Sequence, residues 1–458
     1  MLAFLLKSVP PKRRLRAAAI FLLGLFVLSL FLVDLDAEEE LGAPGLRDNP
    51  GTAAKTRMSE TAASSGPSPL PDFAKGKLAT GFKFKVFVYE EDLPRDLYGA
   101  LRRDARCSNE YSGLEALLPS MIKGLDVYTP YGENADYYVV PVMTECFLKR
   151  KLMMGKDFNW AVKDLNSLFE QTLDEIQSSY PHWSRTEGRD HIFVFPSERG
   201  PSLLNQANLQ RIRKSIFLTG ATSYKPLVFE PWKDVVLPTY RWPDKANATS
   251  PQGAVEEQAA GEREVLVHFR GAVPGLEDKQ PSGLTYQLQR ALDGSDLEDR
   301  EFVFGDLDED CADLDCVRGE MRRSVFCLCP GGDFEGWSLR LYNAIAAGCI
   351  PVILSNKAEL PFAQLLDYSR FSVKVAEEDA GRLPEILKGL GRTKIQNKQK
   401  ELRLVAPRFS WDYASRDASG EAVYAEASAL NSLLEILHVK LRFMRNSPYN
   451  FWIKEDNA

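Results

Sequence analysis

The sequence predicts an α/β body of two doubly wound halves facing a shared cleft, held behind a membrane anchor and a stem. Three observations predict it. Short runs rich in Val, Ile and aromatics recur with helical stretches between them, the pattern of parallel sheets covered on both faces. A polar stretch containing Pro and Gly divides that alternation in two. A basic tip is followed by a long uncharged run. The 458 residues, 44% hydrophobic and 26% charged, have the profile of a globular protein. At about 150 residues per domain, they leave room for two ordinary domains once the tails are removed.

Residues 1–16 form a cytosolic tail holding Lys7, Lys12, Arg13, Arg14 and Arg16 and no acid. Removing those five from the 57 basic residues leaves 52 against 64 acids, a net of −12 for the rest. A body that acidic argues against nonspecific nucleic-acid binding, which needs a basic face. Residues 17–33 carry no charge and reach the lower limit for a helix spanning about 30 Å of hydrocarbon. With bases before the run and Asp34, Asp36 and Glu38 to Glu40 after it, the positive-inside rule puts everything beyond Val33 in the lumen. A cleaved signal peptide is the competing reading, but its apolar region is shorter and ends in a small-residue site. A short anchor suits the thin membranes of the early secretory pathway. Residues 34–81, with GPSPLP at Gly66 to Pro71, read as a flexible stem.

The first half, 82–245, has strand signals at Lys85–Tyr89, Tyr137–Val142, His191–Phe195 and Val235–Leu237. Residues 246–263 form a polar linker that contains the sequon Asn247-Ala248-Thr249, an expected glycosylation site. The second half, 264–420, has strand signals at Val265–Phe269, Phe302–Phe304, Val325–Leu328, Ile350–Leu354 and Phe371–Val375. The remainder, 421–458, is an amphipathic helix over roughly Ala422–Met444 and a tail. Doubly wound sheets bind ligands outside the carboxyl ends of their strands, so the cleft is where chemistry is expected.

The sharpest local signal runs from Ser324 to Asn356. A strand ends in Pro330-Gly331-Gly332, a helix starts near Ser338 and stops at Gly348, and a strand follows. Ser338 suits an N-cap and Gly348 a C′ position. Glycines at such a turn admit close backbone approach, a helix N-terminus offers free N–H groups to an anion, and Arg340 in the first turn can fork onto a phosphate. The plainer alternative is an ordinary strand–helix turn.

The stretch CLCPGG…SLRLYNAIAAGCIPVILSN…ELPF resembles the exostosin family of glycosyltransferases. Further pieces fall in that family's order: VFVYEEDLP (86–94), NADYYVVPV (134–142), PHWSRTEGRDHIFVFP (181–196), KDVVLP (233–238), HFRG (268–271) and RFSVKV (370–375). The resemblance implies two Rossmann-like domains in the GT-B arrangement within a Golgi type II membrane protein. It implies inverting transfer of a sugar from a nucleotide-sugar, UDP-linked by expectation, to a polysaccharide or glycoprotein glycan, with no bound cofactor and no metal. The implied partners are that donor, the glycan acceptor, the Golgi membrane and other glycosyltransferases in homo- or hetero-oligomers, with no nucleic acid.

It also implies a donor site in the second half made of Arg270, Gly271, Pro330, Gly331, Ser338, Arg340, Ser355, Asn356 and Glu359. Arg270 and Arg340 would meet the diphosphate, and Glu359 would accept from the ribose hydroxyls. A structural salt bridge and a capping acid are the alternatives for Arg270 and Glu359. Glu145 and Glu198, each just beyond a first-half strand, are the candidate bases for the acceptor hydroxyl. Many relatives have an H-D-W-G-like segment where this chain has Ser197-Glu198-Arg199-Gly200, which leaves open a catalytically silent partner of a glycan-synthesising complex. The D-x-D triplets of Asp306–Asp315 suggest a metal-dependent transferase as another alternative, but six acids in ten residues also make a solvated loop. Seven cysteines in an oxidising lumen predict disulfides, with Cys311–Cys316 and Cys107–Cys146 as plausible pairs and at least one thiol left over. Cys327 and Cys329 read as strand-core residues.

Overall fold

The computed structural model describes residues 76–78, 81–89, 101, 107, 113–220, 227–240, 263–271, 283–298, 301–305, 311, 313–331, 339–357, 359–411, 415–416, 422–424 and 427–446. The anchor, most of the stem and Asn247 lie outside them. Among the described residues no helix is long and apolar enough to cross a membrane.

The chain enters through β1 (Gly76–Leu78), which pairs in parallel with Ala422–Tyr424 near the other end of the chain. These three residues, read from the sequence as stem, are therefore strand. The first sheet is wholly parallel, with β2 (Val86–Val88), β3 (Tyr137–Val140), β4 (His191–Phe195), β5 (Ile216–Thr219) and β6 (Val235–Val236) side by side in that order. Beyond β2 an isolated parallel bridge joins Val86 to Tyr128. Val86 N–H donates to Val127 O (2.8 Å) and Thr129 N–H donates to Val86 O (2.9 Å). The chain thus leaves β2 for the outer edge and returns on its other side as β3. That reversal puts α1 (Leu114–Lys123) and the later helices on opposite faces.

Side-chain alternation sorts the core accordingly. Tyr137, Val139, Ile192, Val194, Ile216 and Leu218 face α1. Tyr138, Val140, Phe193, Phe195 and Phe217 face the other way. There they meet α2 (Thr144–Met153), α3 (Phe158–Ser179), α4 (His182–Thr186) and α5 (Gln206–Ile212). β5 had no counterpart in the sequence reading. It is four residues long, and only Ser215, whose N–H donates to Ile212 O at 2.8 Å, separates it from Arg213 and Lys214 at the end of α5.

The second sheet is also parallel and holds β7 (Val265–Arg270), β8 (Phe302–Gly305), β9 (Ser324–Pro330), β10 (Ile350–Leu354) and β11 (Val373–Val375). Their spatial order is β8-β7-β9-β10-β11, a doubly wound order that reverses between β7 and β9. Val267, Phe269, Phe326, Leu328 and Val352 pack on one face with α6 (Leu284–Asp293). Cys327, Cys329 and Ile353 pack on the other with α7 (Leu314–Arg323) and α8 (Leu339–Ala346). Helices α9 (Leu383–Lys388) and α10 (Arg392–Val405) follow, then β12 (Ser415–Arg416) and β13 (Ala422–Tyr424).

The last helix, α11 (Ala429–Asn446), goes back to the first half. Its Leu430, Leu433, Leu434 and Leu437 join Tyr137, Val139 and Ile192 in one cluster, and Tyr137 Oη donates to Leu437 O at 2.7 Å. The helix begins at Ala429 because Ala422–Tyr424, read as its start, is strand. Other bonds cross between the halves. Phe362 N–H donates to Val236 O (3.0 Å), and the Trp411 indole N–H donates to Pro238 O (3.1 Å).

Disulfides join Cys107 to Cys146, Cys311 to Cys316, and Cys327 to Cys349. Cys327 is a buried strand-core residue as read from the sequence, and its disulfide to Cys349 is an addition to that reading. β9 and β10 are neighbours, and Cys349 lies just before the residue paired with Phe326, which brings it beside Cys327. Cys329 stays a buried thiol, its pKa pushed up to about 12 by burial.

Candidate functional site

Ligands of doubly wound sheets bind at the carboxyl ends of the strands where strand order reverses. In the second half that point lies between β7, ending in Arg270-Gly271, and β9, ending in Pro330-Gly331. Four of the residues picked from the sequence therefore flank the reversal.

Arg270 is held side-on by Glu320 of α7. Its Nε donates to Oε2 at 3.0 Å and its Nη2 to Oε1 at 2.8 Å. His268, two residues earlier and so on the same face of β7, places Nε2 at 3.1 Å from the same Oε2. Burial works against the charge of Glu320, but the hydrogen bonds from Arg270 and His268 outweigh it and hold its carboxyl below the ordinary value. Burial lowers the pKa of His268 despite that carboxylate.

Arg340, at the start of α8, donates from Nε to the Arg270 carbonyl at 3.2 Å and stacks over Phe269 with 4.5 Å to the ring centroid. Gly271 makes this possible, because a β-carbon there would run into Nη2 of Arg340. Two guanidinium groups thus share the end of β7. Ser338 lies outside the described residues. Ser355 is buried beside Gly331, whose N–H donates to Leu354 O at 3.1 Å.

Asn356 is turned to the exposed surface. Its amide donates to Glu378 at 2.8 Å and its backbone N–H to Glu377 at 2.9 Å. Glu359 is half-buried, and its charge bears on Tyr368 and on Lys440 of α11. It sits where the ELPF segment meets the first half. In the same segment, Phe362 takes a left-handed backbone (φ 53°) while bonding to Val236. A non-glycine residue in that region is held there by its surroundings.

The two candidate bases differ in access. Glu145, at the start of α2, is buried: Oε2 has no hydrogen-bond partner, and Oε1 lies 3.6 Å from Nη1 of Arg199. Its backbone N–H and that of Cys146 donate to Glu115 of α1 at 3.2 and 2.6 Å. Burial first, then the charge of Glu145, push the Glu115 carboxyl up to about 8. Glu198 is exposed, and its charge reaches Tyr342 of α8 in the second half. Tyr342 in turn donates to Leu237 O at 3.4 Å. Glu198 therefore stands at the junction of the halves, whereas Glu145 is closed in behind Arg199.

Of the D-x-D stretch, residues 306–310 lie outside the described residues. Asp313 caps α7 by accepting from Cys316 N–H (2.8 Å), and exposed Asp315 pairs with Arg318 (2.8 Å). Both are helix-start acids. Cys311, Cys316 and Glu320 come within 4.8 Å of one another, but the two sulfurs are joined in a disulfide and do not offer thiolate ligands.

Residues 81–390 match the model of the Exostosin GT47 domain. The chain is 29% identical over 367 residues to an Arabidopsis thaliana protein described as probable glucuronoxylan glucuronosyltransferase IRX7, covering 76% of this chain and 77% of that one. It is 29% identical over 330 residues to the probable beta-1,4-xylosyltransferase IRX10L of the same plant, covering 70% and 74%. Among solved structures it is similar to WaaG, a glycosyltransferase involved in lipopolysaccharide biosynthesis. That likeness is 13% identity and a TM-score of 0.26 over 59% of this chain and 70% of that one, too slight to carry weight. With the family model matched over more than half its length, the chain belongs to the exostosin GT47 family and is a glycosyltransferase.

Proposed function

We propose that this glycosyltransferase moves a sugar from a nucleotide-sugar, UDP-linked by expectation, to a hydroxyl of a polysaccharide acceptor with inversion, in a GT-B cleft between its halves. The observation that carries the reading is the pair Arg270 and Arg340 at the strand-order reversal of the second half. The acceptor oxygen attacks C1 of the donor sugar while the bond from C1 to the diphosphate breaks. Charge grows on the departing diphosphate, where two fixed guanidinium groups are worth most. The acceptor proton passes to a carboxylate. Glu198, exposed and near the second half, suits that task better than enclosed Glu145. Neither a cofactor nor a metal takes part. The names of the relatives, a probable glucuronoxylan glucuronosyltransferase and a probable beta-1,4-xylosyltransferase, support a xylan-type polysaccharide as acceptor.

The uncharged run 17–33, the basic tip and the sequon support a type II Golgi membrane protein with a lumenal, glycosylated body. Such enzymes are expected to associate with copies of themselves or with other transferases. A donor screen tests the reading. The full-length chain in detergent is offered a panel of UDP-sugars and nucleotide release is measured with and without EDTA. One donor should be turned over, unaffected by EDTA, and Arg270→Ala should abolish release. Release that needs a divalent ion would restore a metal-dependent mechanism. Absence of release with any donor and acceptor would favour a silent partner.

A further inference from the structure

The geometry points to Glu320 as a positioning residue for the leaving diphosphate, acting through Arg270. This rests on the reading of Arg270 as a diphosphate contact. Arginine has a long, mobile side chain, and an anion that must first order it loses affinity. Here the ordering is already done. The side-on fork from Nε and Nη2 fixes the plane of the guanidinium and uses two of its five N–H groups.

Glu320 is itself held from two further directions. Buried His268 takes its Oε2 from the strand side. On the helix side, Cys316 stands one turn before Glu320, and the Cys311 and Cys316 sulfurs lie within 4.8 Å of its carboxylate. Their disulfide closes the loop at the start of α7, whose N-cap is Asp313. A largely buried carboxylate bonded to a histidine and packed beside a disulfide can fix an arginine more tightly than a surface acid can. Glu320 is not among the motif residues that resemble the family, and it lies 50 residues from Arg270 in sequence.

The test measures binding of UDP and of uridine by calorimetry to the full-length chain in detergent, for Glu320→Ala, Arg270→Ala and the double variant. By the usual cost of losing a supporting partner, Glu320→Ala should weaken UDP about tenfold and leave uridine within about twofold. The double variant should bind UDP no more weakly than Arg270→Ala alone, since Glu320 acts only through that arginine. Glu320→Gln keeps the size and one acceptor oxygen and serves if the alanine variant does not fold. It should lose about threefold for UDP and nothing for uridine. Equal losses for UDP and uridine, or losses that multiply in the double variant, would reduce Glu320 to a structural role. If Arg270→Ala loses UDP while the Glu320 variants keep it, the positioning role falls and the site stands. If Arg270→Ala itself binds UDP normally, the diphosphate reading falls with it.

Discussion

Gly271 is the residue where backbone and charge are most tightly coupled. Its missing β-carbon is the space that the Arg340 guanidinium occupies, against Phe269 and the Arg270 carbonyl. Gly271→Ala should push Arg340 off both partners. We expect UDP affinity and donor turnover to fall more than about tenfold while thermal stability changes little, because the displaced group is a side-chain end at the rim of the core. Calorimetry and thermal unfolding on one preparation would check both halves of that statement. The motif HFRG made Arg270 and Gly271 legible as a pair. It did not make Glu320 legible, because that contact depends on how α7 lies across β7.

At the scale of elements, helix α2 shows a device that sequence patterning hides. Met143 at its N-cap offers no capping side chain. Glu115 supplies the acceptor instead, reaching from α1 to the N–H groups of Glu145 and Cys146. Glu115 sits among leucines in the sequence and is fully buried. Its proton is kept in the folded state up to a pH of about 8 and released by the unfolded chain above the ordinary carboxyl value of 4.5. The unfolded state thus binds fewer protons between those values, and stability falls as pH rises through that window, by at most about 1.4 kcal/mol per pH unit. Below 4.5 both states are protonated and the effect vanishes. Denaturant midpoints at pH 5, 6, 7 and 8 should show the slope in the wild type and lose it in Glu115→Gln. An unchanged slope in the variant would assign it to other groups. Most strands were legible because each run ends at Pro, Gly or a charged turn. β1, β12 and β13 were not, being pieces of two or three residues, and β5 was not, although its partners β4 and β6 are its neighbours in sequence.

For the whole molecule, the two parallel sheets follow from the spacing of apolar runs, but the closing of the first half does not. Its sheet turns one face to α1 and to α11, an element almost 300 residues further along the chain than β3. Leu434 is fully buried in that contact. Leu434→Ala should cost about 2–5 kcal/mol by the usual price of an emptied core position. It should lower the unfolding midpoint without changing the ratio of UDP to uridine affinity. Differential scanning calorimetry would register the first effect and titration the second.

The return of α11 also sets a timetable for synthesis. Every residue of the first sheet has left the ribosome before Ala429 is made, so the part of that face that α1 leaves to α11 waits through the whole second half for its cover. In that interval Tyr137, whose Oη is to donate to Leu437 O, has only α1 on its side of the sheet, and the rest of that face is presented to solvent or to a chaperone. The half that emerges first is therefore the last to be completed.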